Sequence, residues 1–435
     1  MVTTNGRHIV IIGGGIIGCT TAYYLSRHPS YTSDSNTDTI TLLEASQHGT
    51  AQGASGKAGG LVAKWAYPKE LVDLSFNEHV GLAKEHNGKE RWGWRYVNCG
   101  SWEGRGEALN QQRLTDPSGT DASERSLEKT LGLPGGSKPR GSKSRKAKGL
   151  PDDLQWVKEN LTDGYLPMAK AGDTAQVHPY LFTTSMFELA EKHGVKFIAA
   201  KAISIIQADD KVVGVEYEDN ATRQSTTIPA THVIVAAGAW SPTLVQGLPI
   251  SATRAHSITI RPQPNVRIAP YVLFTEIAFP MRLGGGASPE IYARPDNEIY
   301  VCGSGDDSSL PNCVDDVVVD QTACDALLNH ASSISDEIRH GTVEKKQACF
   351  LPVVSTGGGP FIGEVGHIAK GLYLATGHTC WVSRTLCGYI HCQLITKKSQ
   401  GICNAPGTAK ALAELIMDGR IKSANLKKLR PLPNT

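Results

Sequence analysis

An α/β fold built on a parallel sheet is predicted by three features near the N-terminus. The run His8-Ile-Val-Ile-Ile12 has the continuous apolar character of a buried parallel strand. Gly13-x-Gly15-x-x-Gly18 follows it directly and opens a helix through Ala22-Tyr-Tyr-Leu25. A second apolar run, Ile40-Thr-Leu-Leu-Glu44, ends in an acid. Strand, glycine turn, helix, strand and acid in this order describe a cradle for a dinucleotide. The first glycines let the backbone turn tightly and approach a pyrophosphate, and the third lets helix pack on strand. The helix N-terminus offers N–H groups and partial positive charge, and the carboxylate accepts hydrogen bonds from a ribose. A plain structural turn is the competing reading, and the choice of dinucleotide is open at this point.

Further along, Ser30 to Asp38 consists of turn formers, which lengthens the first crossover and pushes Glu44 beyond its usual spacing. Gly53-Ala-Ser-Gly-Lys-Ala-Gly-Gly60 is too glycine-rich for helix or strand; it reads as a loop, or as backbone held close against a flat ligand. Trp65 to Cys99 has helical periodicity, and the aromatic cluster Trp92, Trp94, Tyr96 and Trp102 reads as core. The composition changes between Gln111 and Gly149, where Ser, Gly, Pro, Lys and Arg predict a disordered basic loop. Val177 to Ala202 reads as helix then strand, Lys211 to Tyr217 and Ser225 to Ile228 as short strands, and Thr231 to Ala237 as a β-branched strand. Arg254 to Gly303 alternates apolar and polar residues between turns, the pattern of an antiparallel sheet, and Val317 to Ile334 is helical by period.

The 435 residues suffice for two domains, and 40% hydrophobic content fills a sizeable core. A net charge of +2, from 44 basic and 42 acidic residues, gives no reason to expect nucleic acid or an anionic membrane as partner. The sequence contains no run of membrane-span length, and Met1 to Arg7 leads into the first strand without a signal-peptide core; ten cysteines without a regular framework suit a reducing compartment. A cytoplasmic location is the expectation.

Gly13-x-Gly15-x-x-Gly18, Leu43-Glu44-Ala45 and Gly53 to Gly60 together resemble the FAD-dependent oxidoreductases of the D-amino-acid oxidase type, which include glycine and sarcosine oxidases and amadoriases. Val177-His-Pro-Tyr180, Val233 to Ser241, Ile291 to Tyr300, Pro360-Phe-Ile-Gly363 and Gly371 to His378 are similar to family landmarks in the same order, and the likeness is closest to a fungal subgroup without an assigned substrate. The resemblance implies a discontinuous Rossmann-type FAD domain from residues 1–64, 165–247 and 349–435. A substrate domain with a mixed or antiparallel sheet would be formed by 65–164 and 248–348. It implies FAD contacts from Gly13, Gly15, Ile16, Ile17 and Gly18, from Glu44 and Ala45, and from Ser55, Gly56, Lys57, Gly59 and Gly60 beneath the flavin. Ala202, Ile203, Ala237, Gly238 and Trp240 would approach from the far side, joined by Gly377, His378, Thr379, Gly401 and Ile402. Cys349 falls where some family members bond a cysteine to the flavin.

One dinucleotide fingerprint without a second implies that a small organic donor reduces the flavin and that oxygen or another acceptor reoxidises it. The family's usual reaction is hydride transfer from a carbon bearing an amine to flavin N5, with orientation and electrostatics supplied by the protein. Expected substrate-side groups are Lys57, Arg254, His256 and Arg294, with Arg282 and Tyr292 as further candidates. An arginine suits a carboxylate held by two parallel hydrogen bonds, although an ordinary salt bridge is the competing reading for each. Oxidation of a 2-hydroxy acid or alcohol is the alternative reaction, and a flavin-binding protein without turnover, working in trafficking, is the alternative class.

The family's closing element is split here. Gly377-His-Thr-Cys-Trp381 and Gly401-Ile-Cys-Asn-Ala-Pro-Gly-Thr408 are separated by Val382 to Gln400. Val-Ser can be encoded by GTA-AGT and Gln by CAG, common intron ends, so the interval reads as an unspliced intron translated in frame. A genuine loop or helix competes with it; a metal site from Cys380, Cys387, His391, Cys392 and Cys403 is weaker, because the spacing matches no standard zinc pattern.

Overall fold

The apolar runs become two eight-stranded sheets and a small third one, seen in a computed structural model. It describes residues 6–32, 38–108, 145–279, 286–356, 358–379 and 401–431. Most of the basic segment, Arg282 and the interval 380–400 with the suspected intron lie outside the described residues.

The first sheet contains β1 (His8–Ile12), β2 (Thr39–Glu44), β8 (Lys196–Ala208), β9 (Lys211–Asp219), β10 (Ser225–Pro229), β11 (His232–Val235), β18 (Phe361–Glu364) and β19 (Leu372–Thr376). Their order is β10-β9-β8-β2-β1-β11-β19-β18, with the five central strands parallel and both edges antiparallel. The centre is buried on both faces, which is why β1 and β11 read as unbroken apolar runs. Ile9 and Ile11 face the helices α1 (Ile16–Ser26), α3 (Pro179–Glu191) and α5 (Gly401–Asp418), whereas Val10 and Ile12 pack with Val233, Val235 and Leu374 on the other face. The remaining helices used below are α2 (Lys69–Glu85) and α4 (Gln321–Ser332).

The second sheet contains β5 (Asn98–Arg105), β6 (Thr162–Pro167), β12 (Ile250–Arg261), β13 (Tyr271–Ala278), β15 (Glu290–Ala293), β16 (Ile299–Asp306) and β17 (Thr342–Val354), with β14 (Gly286–Ala287) on β13. Its order is β17-β12-β16-β15-β13-β5-β6. The expected antiparallel pattern holds except that β13 runs parallel to β5, so the sheet is mixed. One face packs Ile258, Leu273, Ile291 and Val301 with Leu327 of α4. The opposite face, with Val272, Tyr292 and Tyr300, joins the cluster that also holds Ile9 and Ile11. A small sheet of β3 (Leu61–Ala63), β4 (Arg95–Tyr96) and β7 (Thr174–Gln176) lies in the order β3-β7-β4.

Two expectations shift. The expected domain boundary at 349 falls inside β17, and 165–167 belong to β6 of the second sheet. The predicted disorder does not extend to 145–149. There Arg145 donates to the carbonyls of Pro151 and Leu154, and Leu150 is buried directly afterwards. Carbonyls absorb the arginine's donors, so a basic composition does not preclude a fixed chain here.

Phe182 of α3 is fully buried with its ring 4.9 Å from His79 and 5.3 Å from Trp92. Phe182→Ala is expected to cost about 3–5 kcal/mol of stability, read as a lower denaturant midpoint with unchanged slope. A loss below about 1 kcal/mol would show that the three elements it joins do not unfold together.

Candidate functional site

The glycine turn after β1 is held by backbone geometry. Gly13 has φ of +113° and donates its N–H to Leu43 O at 2.8 Å, tying β1's end to β2's. A Cβ on Gly18 would lie 1.9 Å from Gly13 O, and one on Gly13 would lie 2.5 Å from Ala236 O. Helix α1 therefore starts hard against the strands. Its N-cap, Gly15, supplies no side-chain acceptor and its first turn has no acid, so its positive end is left for a ligand; Ile16 N–H donates to Ser55 Oγ at 2.9 Å.

Glu44 closes β2. Its carboxylate accepts from Gly14 N–H at 2.6 Å and Ser46 N–H at 2.8 Å. Burial raises its pKa against these two donors, and Asp315 adds to the rise. Asp315 accepts from Ser46 Oγ at 2.6 Å and Gln47 N–H at 2.9 Å, and Asn220 donates to Ala45 O at 2.9 Å.

A single cavity of about 820 Å³ runs from this end across the sheet. Gly13, Gly15, Ile16, Ile17, Glu44, Ala45 and Ser55 line one wall. Ala202, Ile203, Ala237, Gly238 and Trp240 line a second wall, and Gly377, His378, Thr379, Gly401 and Ile402 a third. Gly18 lies behind the first wall, in its predicted packing role. His378 Nε2 lies 3.0 Å from Thr408 Oγ1, but its buried Nδ1, and the buried Oγ1 of Thr379, have no hydrogen-bond partner among the described residues. Unpartnered polar atoms at the edge of a cavity are what a polar ligand completes. Together with the uncapped helix at the other end, they fit a dinucleotide whose diphosphate lies at α1.

The second glycine loop differs from its expected role. Ser55 and Ala58 line the cavity, whereas Gly56, Lys57, Gly59 and Gly60 do not. Their small size is required by protein neighbours. A Cβ on Gly56 would meet Ala51 O at 1.9 Å, on Gly59 the Tyr292 ring at 2.6 Å, and on Gly60 Val177 O at 2.0 Å. Lys57 Nζ donates to Ala348 O at 3.0 Å, and burial lowers the ammonium's pKa while neighbouring Cys349 opposes the shift. Cys349 is buried outside the cavity lining, its thiol pushed up to about 11 by burial.

Of the expected substrate groups, Arg254 and His256 meet at Asp306, while Lys57 and Arg294 make separate contacts. Arg254 is paired with Asp306 at 3.1 Å and donates to Val318 O. His256 Nε2 accepts from Asp320 N–H at 3.0 Å, and its Nδ1 lies 3.9 Å from Asp306. Arg294, 3% exposed, is bound to Glu298 at 2.5 Å and to Ala58 O at 2.6 Å, with its guanidinium 4.6 Å from the Tyr300 ring centre. None of the three lines the cavity. Arg294 instead fixes Ala58, which does. Leu310 to Asp316, which no sequence motif marks, also lines the cavity, beside Glu44; Trp240 Nε1 donates to Pro311 O at 2.7 Å, and Cys313 Sγ lies 3.6 Å from Ala45 O. No periodicity marks this segment, and only its turn formers set it apart.

The matched family model is DAO, FAD dependent oxidoreductase, over residues 8–415. Two yeast proteins, each named a putative oxidoreductase, are similar along nearly the whole length. TDA3 of Saccharomyces cerevisiae is 31% identical, with 98% of this chain and 94% of that protein covered. C1F5.03c of Schizosaccharomyces pombe is 32% identical, with 98% of each covered. Among solved structures, glycine oxidase from Geobacillus kaustophilus superposes with a TM-score of 0.66 at 17% identity, covering 99% of this chain and 100% of that one, which is a likeness of fold.

Two expected outcomes follow from this geometry. Gly18→Val places a side chain on Gly13 O, so the purified variant should retain none of the bound flavin that the wild type carries; full retention would refute the cradle. The second concerns His79 and His378, which burial lowers from 6.5 to about 4 and about 3. Both remain neutral in the folded chain while the unfolded chain takes up protons below 6.5. Their contribution is thus complete above 6.5 and falls with pH by roughly 1.4 kcal/mol per unit for each until the folded values are reached. Other buried histidines, His178 among them at about 4, add to the same slope, so denaturation from pH 7 to 4 should show it reduced by roughly 1.4 kcal/mol per unit in His79→Gln; an unchanged slope would contradict the assignment.

Proposed function

The chain belongs to the DAO family of FAD-dependent oxidoreductases, and from that premise we propose that it oxidises a small amine or amino acid. The observation that carries the reading is the single continuous cavity from Glu44 to His378, built from both ends of the chain. No second dinucleotide fingerprint accompanies it in the sequence. Electrons then come from a small organic donor, and oxygen or another acceptor removes them. Glycine oxidase, whose fold the chain shares, is named for a donor with a carbon–nitrogen bond, which supports the amine over the hydroxy acid.

In this reading Glu44 holds the adenosine ribose, the start of α1 with Ser55 holds the diphosphate, and His378 with Thr379 completes the flavin end. FAD supplies the hydride acceptor when bound. The protein positions the donor and keeps the reacting end dry: Tyr292, Tyr300 and Phe350 are buried there, and His378 is neutral, so the hydrogen bond its Nδ1 offers carries no full charge. The division into an FAD domain and a substrate domain belongs to the same proposal, with the substrate bound between the two larger sheets. We read FAD as non-covalently held, since the Cys349 thiol is buried, protonated and outside the cavity lining.

Anaerobic addition of amine, amino-acid and hydroxy-acid panels to the purified flavoprotein should bleach the flavin with amines or amino acids. Bleaching by hydroxy acids alone would reject the amine reading, and bleaching by none would reject turnover. Acid precipitation should leave yellow FAD in the supernatant; a yellow pellet would mean a covalent bond.

A further inference from the structure

The second sheet presents one row of side chains on the face that joins the first sheet's core. Register places Ser101 beside Phe274, Phe274 beside Glu290, Glu290 beside Cys302, Cys302 beside Ser257, and Ser257 beside Gln347. Cross-strand partners share a face, so a carboxylate stands in the middle of an otherwise uncharged row. Glu290 is half-buried as a residue, and burial of its carboxyl dominates its surroundings. Both hydrogen bonds to its carboxylate, from Tyr292 OH at 2.5 Å and Cys302 Sγ at 3.8 Å, end on Oε2. Oε1 accepts none among the described residues.

The carboxylate is linked to the cavity wall through protein contacts. Tyr292, its hydrogen-bond donor, packs its ring against Gly59, and Tyr300 OH donates to Lys57 O at 2.8 Å. The loop 57–60 thus joins the cavity wall at Ala58 to this row. Beside Glu290, Phe274 meets Trp65 edge-on with ring centres 6.4 Å apart. The site offers one acid and an aromatic wall. Of the candidate arginines for a substrate carboxylate, the two that are described are already neutralised, Arg254 by Asp306 and Arg294 by Glu298.

Resting on the amine reading above, we propose that Glu290 binds the substrate's ammonium group, and that the substrate is an amine with an apolar substituent rather than an amino-acid zwitterion. The apolar substituent lies along Phe274 and Trp65, and the N–H groups reach Oε1. A charge-assisted hydrogen bond in such surroundings is stronger than on the surface, and it requires the ionised acid. Burial lifts the Glu290 pKa to about 7, against the donors Tyr292 and Cys302. The other titratable groups facing it are Tyr292 on its own strand, Cys302 on β16 and Cys99 on β5. Burial raises Tyr292 and Cys99, so both remain protonated while Glu290 titrates.

The test is calorimetric titration of the flavin-loaded protein with tert-butylamine and with 2-aminoisobutyrate. Neither has a hydrogen on the carbon bearing nitrogen, so binding is read without turnover, and the second differs by a carboxylate in place of one methyl. tert-Butylamine should bind at least about tenfold tighter than 2-aminoisobutyrate, and about tenfold tighter at pH 8 than at pH 6, as an acid titrating near 7 demands. Glu290→Gln should weaken it about tenfold or more at pH 8 and flatten the pH profile. Tyr292→Phe should keep binding but move the midpoint upward, since a donor that favours the ionised acid is lost. If Glu290→Gln does not fold, the wild-type profile and Tyr292→Phe still decide. Tighter binding of 2-aminoisobutyrate, a flat wild-type profile, or no heat in a protein whose flavin amines bleach would overturn the Glu290 assignment alone. Absence of bleaching by every amine would overturn the amine reading beneath it.

Discussion

The contact on which the rest of the site depends is the one between the bare α-carbon of Gly18 and the carbonyl of Gly13. With no side chain between them, α1 sits directly on β1, and its N-terminus is aimed over the end of the parallel sheet. In the proposed reading, that placement decides where the diphosphate lies and so how far along the cavity the flavin reaches. Glu44 reinforces the arrangement from the neighbouring strand, because its carboxylate accepts an N–H from the same turn at Gly14. A group often regarded only as a ribose acceptor is here also a structural brace for the glycine turn.

The second layer of organisation is the pairing of the second sheet's polar side chains with protein partners. Asp306 neutralises Arg254, Glu298 neutralises Arg294, and Asp320 N–H occupies His256. These pairs fix strand ends and one loop, so the polar groups of the second sheet's outer border serve geometry. The sheet's inner face is different in kind. The row that carries Glu290 is aromatic and thiol-bearing, and its carboxylate takes one donor from its own strand, Tyr292, and one across the pair, Cys302. The same sheet thus separates a structural edge from a face able to receive a ligand.

Most of the cavity proposed for the nucleotide was legible in the sequence, because the demand for glycine at Gly13 and Gly18 is local and steric, and the walls at Ala237 to Trp240 and Gly377 to Thr379 follow strands with unbroken apolar character. Roles that depend on distant partners were not. Gly56, Gly59 and Gly60 look like a ligand-facing loop, yet Ala51, Tyr292 and Val177 impose them. Arg254 and His256 look catalytic until β12 is aligned with β16 and the start of α4 comes alongside. Glu290 resembles any polar residue at a strand start, and only the pairing of five neighbouring strands shows it standing in an uncharged row. The strap at Leu310 to Asp316 has no periodicity to announce it.

Gly401 begins α5 with its α-carbon facing His378: a Cβ there would lie 3.7 Å from both His378 Cβ and O. The chain leaves the cavity wall at Thr379 and re-enters it at Gly401, practically where it left. Two ends brought together by the fold impose no length on what joins them, and lengthening such a connection costs only about 0.6 kcal/mol per doubling. The wall at Thr379 and Gly401 is therefore compatible with a short connection or a long one.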